Sequence, residues 1–399
     1  MRTLLLLWLV SPILHAQLWV KLADFPSTKR DDGVAVVVNN TAYFGTGLQE
    51  WNATIDFYAL NLSTRTWSPI AFMPHTTERQ YACAFAGSNC FYVFGGDGIG
   101  GALTNMYKYT LASNSWTTVA SKPGKGLIAA VCFPFGDKII IAGGKFQDGT
   151  LSREVWEYTL SSDTWLQKNN FPSTPVWRAS GTTLNGLGYM LFGIDSTNAH
   201  RKELYQYNPT NDTWLALINF PLTEGRAYAA MHGLNNRLFV FGGHDSQNNY
   251  YNDCWFFNPA TLSWFPGPNL PGQSRKGGMS CANGQDFYYS CGISAVGRLT
   301  ETWSTDVPTG IVQNKKMRSL SVFPNPCQSR LTISLPHPAQ SIGYRINVKS
   351  ILGEIVLTSN TETKDSFVEL QTSDLVLGVY FVELYEGDRL LATQKFFRN

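Results

Sequence analysis

A tryptophan recurs about every 49 residues along the first three-quarters of the 399-residue chain. The series is Trp19, Trp67, Trp116, Trp165, Trp214 and Trp264. A proline stands seven residues after each of them, and an aromatic residue stands nine residues before each of the last five. Repetition at this period indicates one supersecondary unit that is copied along the chain, each copy burying its apolar surface against its neighbours. A fold built around one irregular core is therefore excluded.

Each repeat contains four short runs of the residue types that favour β-strands. In the second repeat these runs cover residues 81–86, 90–94, 106–111 and 115–119. Turn-forming Gly, Ser and Asn residues separate them. Four strands in about 50 residues are typical of one blade of a β-propeller. A single four-stranded sheet cannot bury both of its faces, whereas blades packed around an axis do so, with the aromatic residues filling the space between them.

The repeats resemble the Kelch family. The matching features are a double glycine after the second strand, an aromatic residue in the third strand and the tryptophan that opens the fourth, as in "YVFGG" and "MYKYTLASNSW". Double glycines stand at Gly95-Gly96, Gly143-Gly144 and Gly242-Gly243. The weaker single versions are placed at Gly45, Gly193 and Gly292. The resemblance covers residues 17–306 and implies a β-propeller.

The two ends of the repeat region lack complementary pieces. Trp19 opens a fourth strand with no first three strands before it, and the last repeat reaches its third strand at Trp303 without a tryptophan-to-proline strand after it. The N-terminal strand is therefore predicted to complete the last blade and to close the ring. Six third-strand aromatic positions predict six blades within residues 17–307.

The repeat ends at Val307, and a different module follows. Residues 308–320 are polar and basic and are predicted to be a linker, and residues 321–399 carry alternating strand patterns that predict a small Ig-like β-sandwich. Pro324-Asn325-Pro326, Leu352-Gly353, "LVLGVYFVEL" and the terminal "QKFFRN" resemble the type A C-terminal sorting domain of the type IX secretion system of Bacteroidota. The resemblance implies contact with that secretion machinery and transfer across the outer membrane. An ordinary Ig-like accessory domain is the alternative.

The first residues and the overall charge narrow the location and the partners. Residues 1–16 combine Arg2, an apolar run and Ala16 before a cleavage position, which is the pattern of a secretory signal peptide. No transmembrane segment is expected in the mature chain, so a secreted or surface protein that passes through the periplasm is predicted. Lys+Arg total 31 against Asp+Glu 29. This near-balance argues against a nucleic-acid partner.

The cysteines and histidines show no metal-ligand spacing, and we predict no metal and no cofactor. The seven cysteines include Cys83, Cys132 and Cys281, which are predicted to lie on strands as small buried side chains. In an oxidising compartment, a Cys83–Cys90 bridge within one hairpin is the local pairing that remains open.

Candidate binding residues lie in two parts of the repeat. Five repeats carry an arginine four to six residues after the proline that follows the repeated tryptophan: Arg30, Arg79, Arg178, Arg226 and Arg275. These arginines are predicted to surround one mouth of the channel, either as a recognition ring for anionic groups or as structural pins that hold loops through carbonyl groups. The variable loops after the glycines are expected at the same mouth. They supply Trp51, Tyr250 and Tyr251 as stacking or packing residues, and His244 and Asp245 as polar contacts.

No catalytic motif is visible, and no catalytic residue is assigned. The leading hypothesis is an exported recognition propeller that binds a protein or a glycan at the channel mouth. The competing hypothesis is a carbohydrate enzyme similar to N-acetylneuraminate epimerase, acting as a sugar mutarotase. Such an enzyme needs a general acid and base, for which the candidates by chain position alone are Glu50, Glu78, Glu154, Glu203 and Glu224.

Overall fold

A computed structural model describes residues 19–305, 320–335, 343–350, 354–361, 367–386 and 389–399. The predicted signal peptide and almost all of the predicted linker lie outside these residues. The chain divides into two compact units, Met1–Pro308 and Thr309–Asn399. Every helix or strand among the described residues is a β-strand, which confirms the all-β prediction. No helix suited to crossing a membrane occurs in the described residues.

The described part of the first unit contains six four-stranded antiparallel sheets, which we call blades one to six and list from the innermost strand outwards. Blade one contains Val34–Val38, Thr41–Gly45, Phe57–Asn61 and Thr66–Pro69. Blade two contains Cys83–Ala86, Cys90–Phe94, Met106–Thr110 and Ser115–Val119. Blade three contains Val131–Phe135, Lys138–Ala142, Val155–Thr159 and Thr164–Gln167.

The remaining three sheets repeat this order. Blade four contains Ser180–Leu184, Leu187–Leu191, Leu204–Asn208 and Thr213–Ala216. Blade five contains Ala230–Leu234, Arg237–Phe241, Cys254–Asn258 and Ser263–Gly267. Blade six contains Met279–Ala282, Phe287–Ser290, Thr302–Thr305 and Trp19–Lys21. Short loop strands lie at Leu48–Gln49, Asn52–Ala53, Arg79–Gln80, Asp97–Gly98, Gly101–Ala102, Ile293–Ser294 and Gly297–Arg298.

The N-terminal strand closes the propeller, as the sequence predicts. Trp19 pairs with Thr305 and Lys21 pairs with Trp303, so Trp19–Lys21 forms the outer strand of blade six. The innermost strands of successive blades contact one another, and the innermost strand of blade six contacts that of blade one. The six sheets therefore surround a common axis.

The repeated tryptophans pack between neighbouring blades. The Trp116 ring lies 5.0 Å from the Phe57 ring of the preceding blade, measured between ring centroids. Its indole Nε1 donates a 2.8 Å hydrogen bond to the carbonyl oxygen of Ala71, just after the last strand of that blade. Trp67 and Trp165 make the equivalent bonds to Ala23 and Ala120. These three tryptophans thus join two blades through both apolar contact and a hydrogen bond, whereas the buried indole nitrogens of Trp214 and Trp264 have no hydrogen-bond partner in the described residues.

A second link between blades runs through one glycine in each blade. The backbone N–H of this glycine, which lies beyond the second strand, donates a 2.8–3.0 Å hydrogen bond to a carbonyl on the segment that enters the next blade. The six glycines are Gly47, Gly96, Gly144, Gly193, Gly243 and Gly292, all with φ between 88° and 103°. The residue before each of these glycines also has positive φ. It is a second glycine in three blades, whereas the other three blades have Thr46, Phe192 and Cys291 at this position. In blade one the required glycine is Gly47, and the prediction that placed it at Gly45 is wrong by two residues.

The second unit contains two antiparallel sheets. One sheet consists of Val322–Phe323, Arg330–Ser334 and Phe367–Gln371. The other consists of Ile355–Thr361, Tyr344–Ser350, Gly378–Glu386 and Arg389–Arg398. Buried side chains from both sheets, among them Leu331, Ile346 and Val382, form one apolar core. This is the small two-sheet sandwich that the sequence predicts.

Two glycines of blade three provide a test of the inter-blade link. Gly144 has φ +88°, and a Cβ added there would lie 2.9 Å from the Ile128 carbonyl oxygen. Gly149 has φ +85°, but a Cβ there would meet nothing within 4 Å. We expect Gly149→Ala to lower the free energy of unfolding by about 1–2 kcal/mol, the cost of a left-handed alanine. Gly144→Ala should cost about 1–3 kcal/mol more because its Cβ would also overpack against the backbone of Ile128 and Ala130, on the segment that enters blade three.

Urea denaturation of the two variants and of the wild-type protein measures both losses. Equal losses for Gly144→Ala and Gly149→Ala would contradict a packing role for Gly144.

Candidate functional site

Six residues at equivalent places surround the axis, just before the innermost strand of each blade. The backbone N–H of each donates to the carbonyl oxygen of its counterpart in a neighbouring blade, and the six bonds of 2.6–3.3 Å form a closed circle. All six residues have positive φ, between 52° and 63°. We call them the inner ring, and they are Asp32, Tyr81, Ala129, Arg178, Tyr228 and Gly277.

The inner ring lines a cavity of about 160 Å³ on the axis. A deeper cavity of about 220 Å³ continues along the innermost strands, where Ala, Gly, Ser and Cys side chains leave the space open. The loops that follow the second strands approach this region too, because they pair with the segments that enter the blades. Lys145 pairs with Ile128, and His244 pairs with Ala227. The structure thus has both groups of candidate residues on one side of the propeller.

Four of the five candidate arginines lie two residues before the inner ring and are buried. Arg30 binds Asp56 at 2.5 Å, Arg226 binds Asp253 at 2.7 Å and Arg275 binds Glu301 at 2.5 Å. None of the four lines the axial cavity among the described residues. This geometry is that of structural pins, the second of the two roles that the sequence left open.

Arg79 differs from the other three buried arginines because it binds no carboxylate among the described residues. Its guanidinium donates to the carbonyl oxygens of Thr77 and Gly95 and lies 5.0 Å from the Tyr107 ring centroid. Burial lowers the pKa of Arg79 to about 10. Asn105 stands in blade two where Asp56, Asp253 and Glu301 stand in the blades with ion pairs.

Arg178 is the candidate arginine that faces the cavity, because it belongs to the inner ring. Val176 fills the buried place in blade four that Arg226 fills in blade five. The Arg178 guanidinium carbon lies 3.7 Å from the Trp177 ring centroid and 4.2 Å from that of Tyr228. Its Nη2 donates to the Tyr81 hydroxyl at 3.1 Å, and its buried Nε has no hydrogen-bond partner in the described part of the chain. The guanidinium thus keeps one unpaired but buried donor, in a residue that lines the cavity.

Two lysines extend this arrangement into a series of alternating cations and aromatic rings. Lys145 Nζ lies 3.6 Å from the Trp177 ring centroid. On the other side, Lys276 Nζ lies 5.1 Å from the Tyr228 centroid and 5.3 Å from the Tyr250 centroid. Burial and the charge of Arg178 both lower the pKa of each lysine, although nearby aspartates oppose the shift. We call Lys145, Trp177, Arg178, Tyr228 and Lys276 the cationic ladder, and it makes this part of the mouth attractive to anions.

Asp32 supplies an acidic group to the same cavity. Burial and the neighbouring Asp31 raise the pKa of Asp32 well above its usual range, although Arg178 and a hydrogen bond from Tyr81 partly oppose them. Asp31 itself accepts a 2.5 Å hydrogen bond from Arg298 Nε. Because a carboxyl group with a raised pKa holds a proton at higher pH, Asp32 can donate one inside the cavity.

The loop candidates fall into different places. Trp51 lies at a hairpin tip with 92% of its surface exposed. Asp245 is buried and accepts hydrogen bonds from the backbone N–H groups of Gln247 and Asn249 and from the Tyr251 hydroxyl, which fixes the loop. The Tyr251 ring also covers Arg226 at 3.9 Å. Asp245 and Tyr251 therefore support the mouth without lining its cavity.

His244 joins an imidazole pair near the cationic ladder. Its ring centroid lies 5.0 Å from that of His200 and 5.6 Å from that of Tyr228, and Tyr250 packs at its edge. Burial and the charge of Lys276 lower the pKa of His244 to about 4, so its ring is neutral at pH 7. Both ring nitrogens of His200 are buried and have no hydrogen-bond partner in the described residues.

The glutamate candidates lie outside the cavity. Glu154 binds Lys122 at 3.0 Å and Glu203 binds Arg201 at 2.5 Å, at the start of the third strands. Glu50 and Glu224 are exposed, and Glu78 does not line the cavity. Sequence reasoning missed Asp32, and it also missed Tyr81, Tyr228 and Lys276. The only signal for Asp32 is the spacing of about 49 residues that it shares with Tyr81, Ala129, Arg178, Tyr228 and Gly277.

Comparison with known families identifies both parts of the chain. Residues 32–222 match the KLHDC2/KLHL20/DRC7 Kelch-repeats domain, and residues 225–271 match the Kelch motif. Residues 321–398 match the secretion system C-terminal sorting domain. These matches agree with the two resemblances that the sequence motifs suggest.

Comparison with solved structures supports the fold of the first part. The structure of YjhT superposes with a TM-score of 0.62 at 18% sequence identity, covering 70% of this chain and 95% of YjhT. At that identity the likeness concerns the fold alone. A search of curated proteins finds no match.

The raised pKa of Asp32 predicts how stability changes with pH. The folded state holds the Asp32 proton more tightly than the unfolded chain, so this group favours folding at acidic pH and the benefit is lost as the pH rises through the folded-state pKa. Asp32→Asn removes the buried charge, and asparagine tolerates the positive φ at this place. The melting temperature of Asp32→Asn is therefore to be compared with that of wild type at each pH. The variant should gain on wild type between pH 4 and pH 8, by roughly 2–4 °C for each kcal/mol of change in the free energy of unfolding.

Asp245→Asn is the control: burial opposes the charge of Asp245, but hydrogen bonds with Asn249 and Tyr251 outweigh burial and lower its pKa, so this variant should lose stability at pH 8 and not gain it. Melting curves that stay parallel for wild type and Asp32→Asn from pH 4 to pH 8 would contradict the assignment.

Proposed function

The chain carries Kelch repeats followed by a secretion-system C-terminal sorting domain, and we propose that it is an exported propeller that binds an acidic glycan at the mouth of its channel. The observation that carries this proposal is the cationic ladder beside the axial cavity. Lys145, Arg178 and Lys276 place three cations along two aromatic rings.

The shape of the cavity favours a sugar group over a flat protein surface. A volume of about 160 Å³ matches a single small ring better than an extended contact area. Arginine donors recognise carboxylates through paired hydrogen bonds, and the Tyr81 and Tyr228 hydroxyls, 3.2 Å apart, add polar contacts for sugar hydroxyls. The ligand class that fits is a carboxylate-bearing sugar, either free or at a glycan end.

Substitution of Arg178 tests the binding proposal. Ala129 occupies the equivalent place in blade three with φ 52°, so Arg178→Ala is compatible with the local backbone. Loss of a charge-assisted hydrogen bond should weaken binding by about 1.5–3 kcal/mol, roughly 10- to 150-fold. Calorimetric titration with N-acetylneuraminate and glucuronate, each compared with a neutral sugar, measures this effect.

Two further arginines serve as controls for Arg178. Arg237 is an exposed strand residue away from the cavity, and Arg237→Ala should leave both folding and binding unchanged. Arg226→Ala removes the buried partner of Asp253 and should instead lower stability by about 3–5 kcal/mol. Equal affinity of wild type and Arg178→Ala for acidic sugars would refute the proposed site.

Sugar mutarotation is the second candidate function, and Asp32 is the observation that favours it. A carboxyl group with a raised pKa, beside Tyr81 and Arg178, supplies the proton donor that ring opening of a sugar requires. Proton NMR of anomer exchange in the same acidic sugars separates the two functions. An exchange rate that rises with protein and returns to the uncatalysed rate in Asp32→Asn would establish catalysis in place of binding alone.

The C-terminal unit is proposed to direct transfer by type IX secretion. Its sandwich has its own apolar core and belongs to a compact unit separate from the propeller. We expect a signal-peptide-bearing reporter fused to residues 308–399 to reach the surface or medium of a host with this secretion system. A reporter without these residues should stay in the periplasm, as measured by cell fractionation. Equal retention of both reporters would contradict a sorting role.

A further inference from the structure

Cys83 and Cys132 meet across the boundary between blades two and three. Each lies on the innermost strand of its blade. The Cys83 thiol donates a 3.2 Å hydrogen bond to the Ala130 carbonyl oxygen, and the Cys132 thiol donates a 3.5 Å bond to the Ala84 carbonyl oxygen. Each thiol therefore reaches the strand that carries the other.

The two cysteines also lie beside the same open space. A hydrogen bond with Cys132, together with burial, raises the pKa of the Cys83 thiol. Both residues line the deeper axial cavity of about 220 Å³. Cys132 is partly buried, whereas Cys83 is buried, so Cys132 is the more accessible residue of the two.

The other cysteine pairing considered from the sequence does not fit. Cys83 lies opposite Phe94 in its hairpin, whereas Cys90 stands at the far end of the same two strands, beyond the Phe91–Ala86 pair. A Cys83–Cys90 bridge would have to span the length of the hairpin. Cys281 is fully buried on the innermost strand of blade six, and burial alone raises the pKa of its thiol.

We propose that Cys83 and Cys132 form a redox site that closes to an inter-blade disulfide in the oxidising compartment to which the protein is exported. The oxidant is a disulfide of a small thiol or of a thiol oxidase. The Cys132 thiolate attacks one sulfur of that disulfide and releases the first thiol, giving a mixed disulfide. After Cys83 loses its proton, its sulfur attacks Cys132 and releases the second thiol. The protein loses two protons and two electrons, and the oxidant is reduced to two thiols.

The disulfide would join strands whose cysteines are 49 residues apart in sequence, at a boundary that otherwise depends on packing and hydrogen bonds. Cross-linking restricts the unfolded chain more than the folded one. Oxidation should therefore raise the melting temperature by about 4 °C or more. The site depends on export for its oxidant but is independent of ligand binding at the mouth.

Treatment of the full-length reduced protein with oxidised glutathione tests the proposal. Alkylation after denaturation should then label five of the seven cysteines, compared with all seven before treatment. Trypsin should yield a cross-linked pair of peptides 80–108 and 126–138, which separate on reduction. Because peptide 80–108 also holds Cys90, the Cys90→Ser variant must keep the cross-link.

Two matched variants complete the test. Cys83→Ser should lose both the cross-link and the rise in melting temperature, whereas Cys281→Ser should keep both. The sugar affinity of the oxidised and reduced proteins should be the same, so failure of the binding proposal is distinguished from failure of this one. Seven free thiols in folded protein after treatment, or a cross-link that survives in Cys83→Ser, would overturn the inference.

Discussion

The propeller depends on two circles of backbone hydrogen bonds that pass from blade to blade. One circle joins the six inner-ring residues, and the other joins the glycine beyond each second strand to the next blade. Both require left-handed backbone conformations at fixed places. Side-chain packing between blades tolerates changes in residue type, but these bonds fix the distance and orientation of each blade relative to the next. The geometry of the mouth follows from them.

The conformational demand explains which parts of the fold the sequence could predict. The position of Trp116 and its repeats holds a large aromatic residue that packs on the preceding blade. The regular spacing of these tryptophans is therefore easy to recognise in the sequence. The Gly144 type of position accepts only glycine because its Cβ would strike backbone, which makes it visible as well. The inner ring needs positive φ but has room for a side chain. Its six positions therefore hold five different residue types, so the repetition is hard to recognise in the sequence.

The same reasoning explains why the candidate site could be only partly predicted. Counting from the proline that follows each repeated tryptophan groups Arg178 with Arg79 and Arg226. The number of residues between that proline and the arginine varies by up to two, so the count cannot separate them. The backbone conformation separates them. Arg226 is buried with Asp253, whereas Arg178 adopts φ 59° and turns toward the cavity. One residue type thus serves as a structural pin in one blade and lines the axial cavity in another.

The pairing of Trp19 with Thr305 determines the order in which the propeller can be completed. During synthesis the first strand emerges long before the blade to which it belongs, and it has no partner until nearly all of the other strands have formed. Ring closure consequently joins strands that are far apart in sequence, and it is the last pairing to become available. It is expected to be slow, because a long segment of chain must lose conformational entropy before the two strands meet. Until then, blade six exposes the edge of Thr302–Thr305 and blade five lacks the Trp19 ring against Phe241. The ring therefore stays open until both the N-terminal and the C-terminal strands of the propeller have been made.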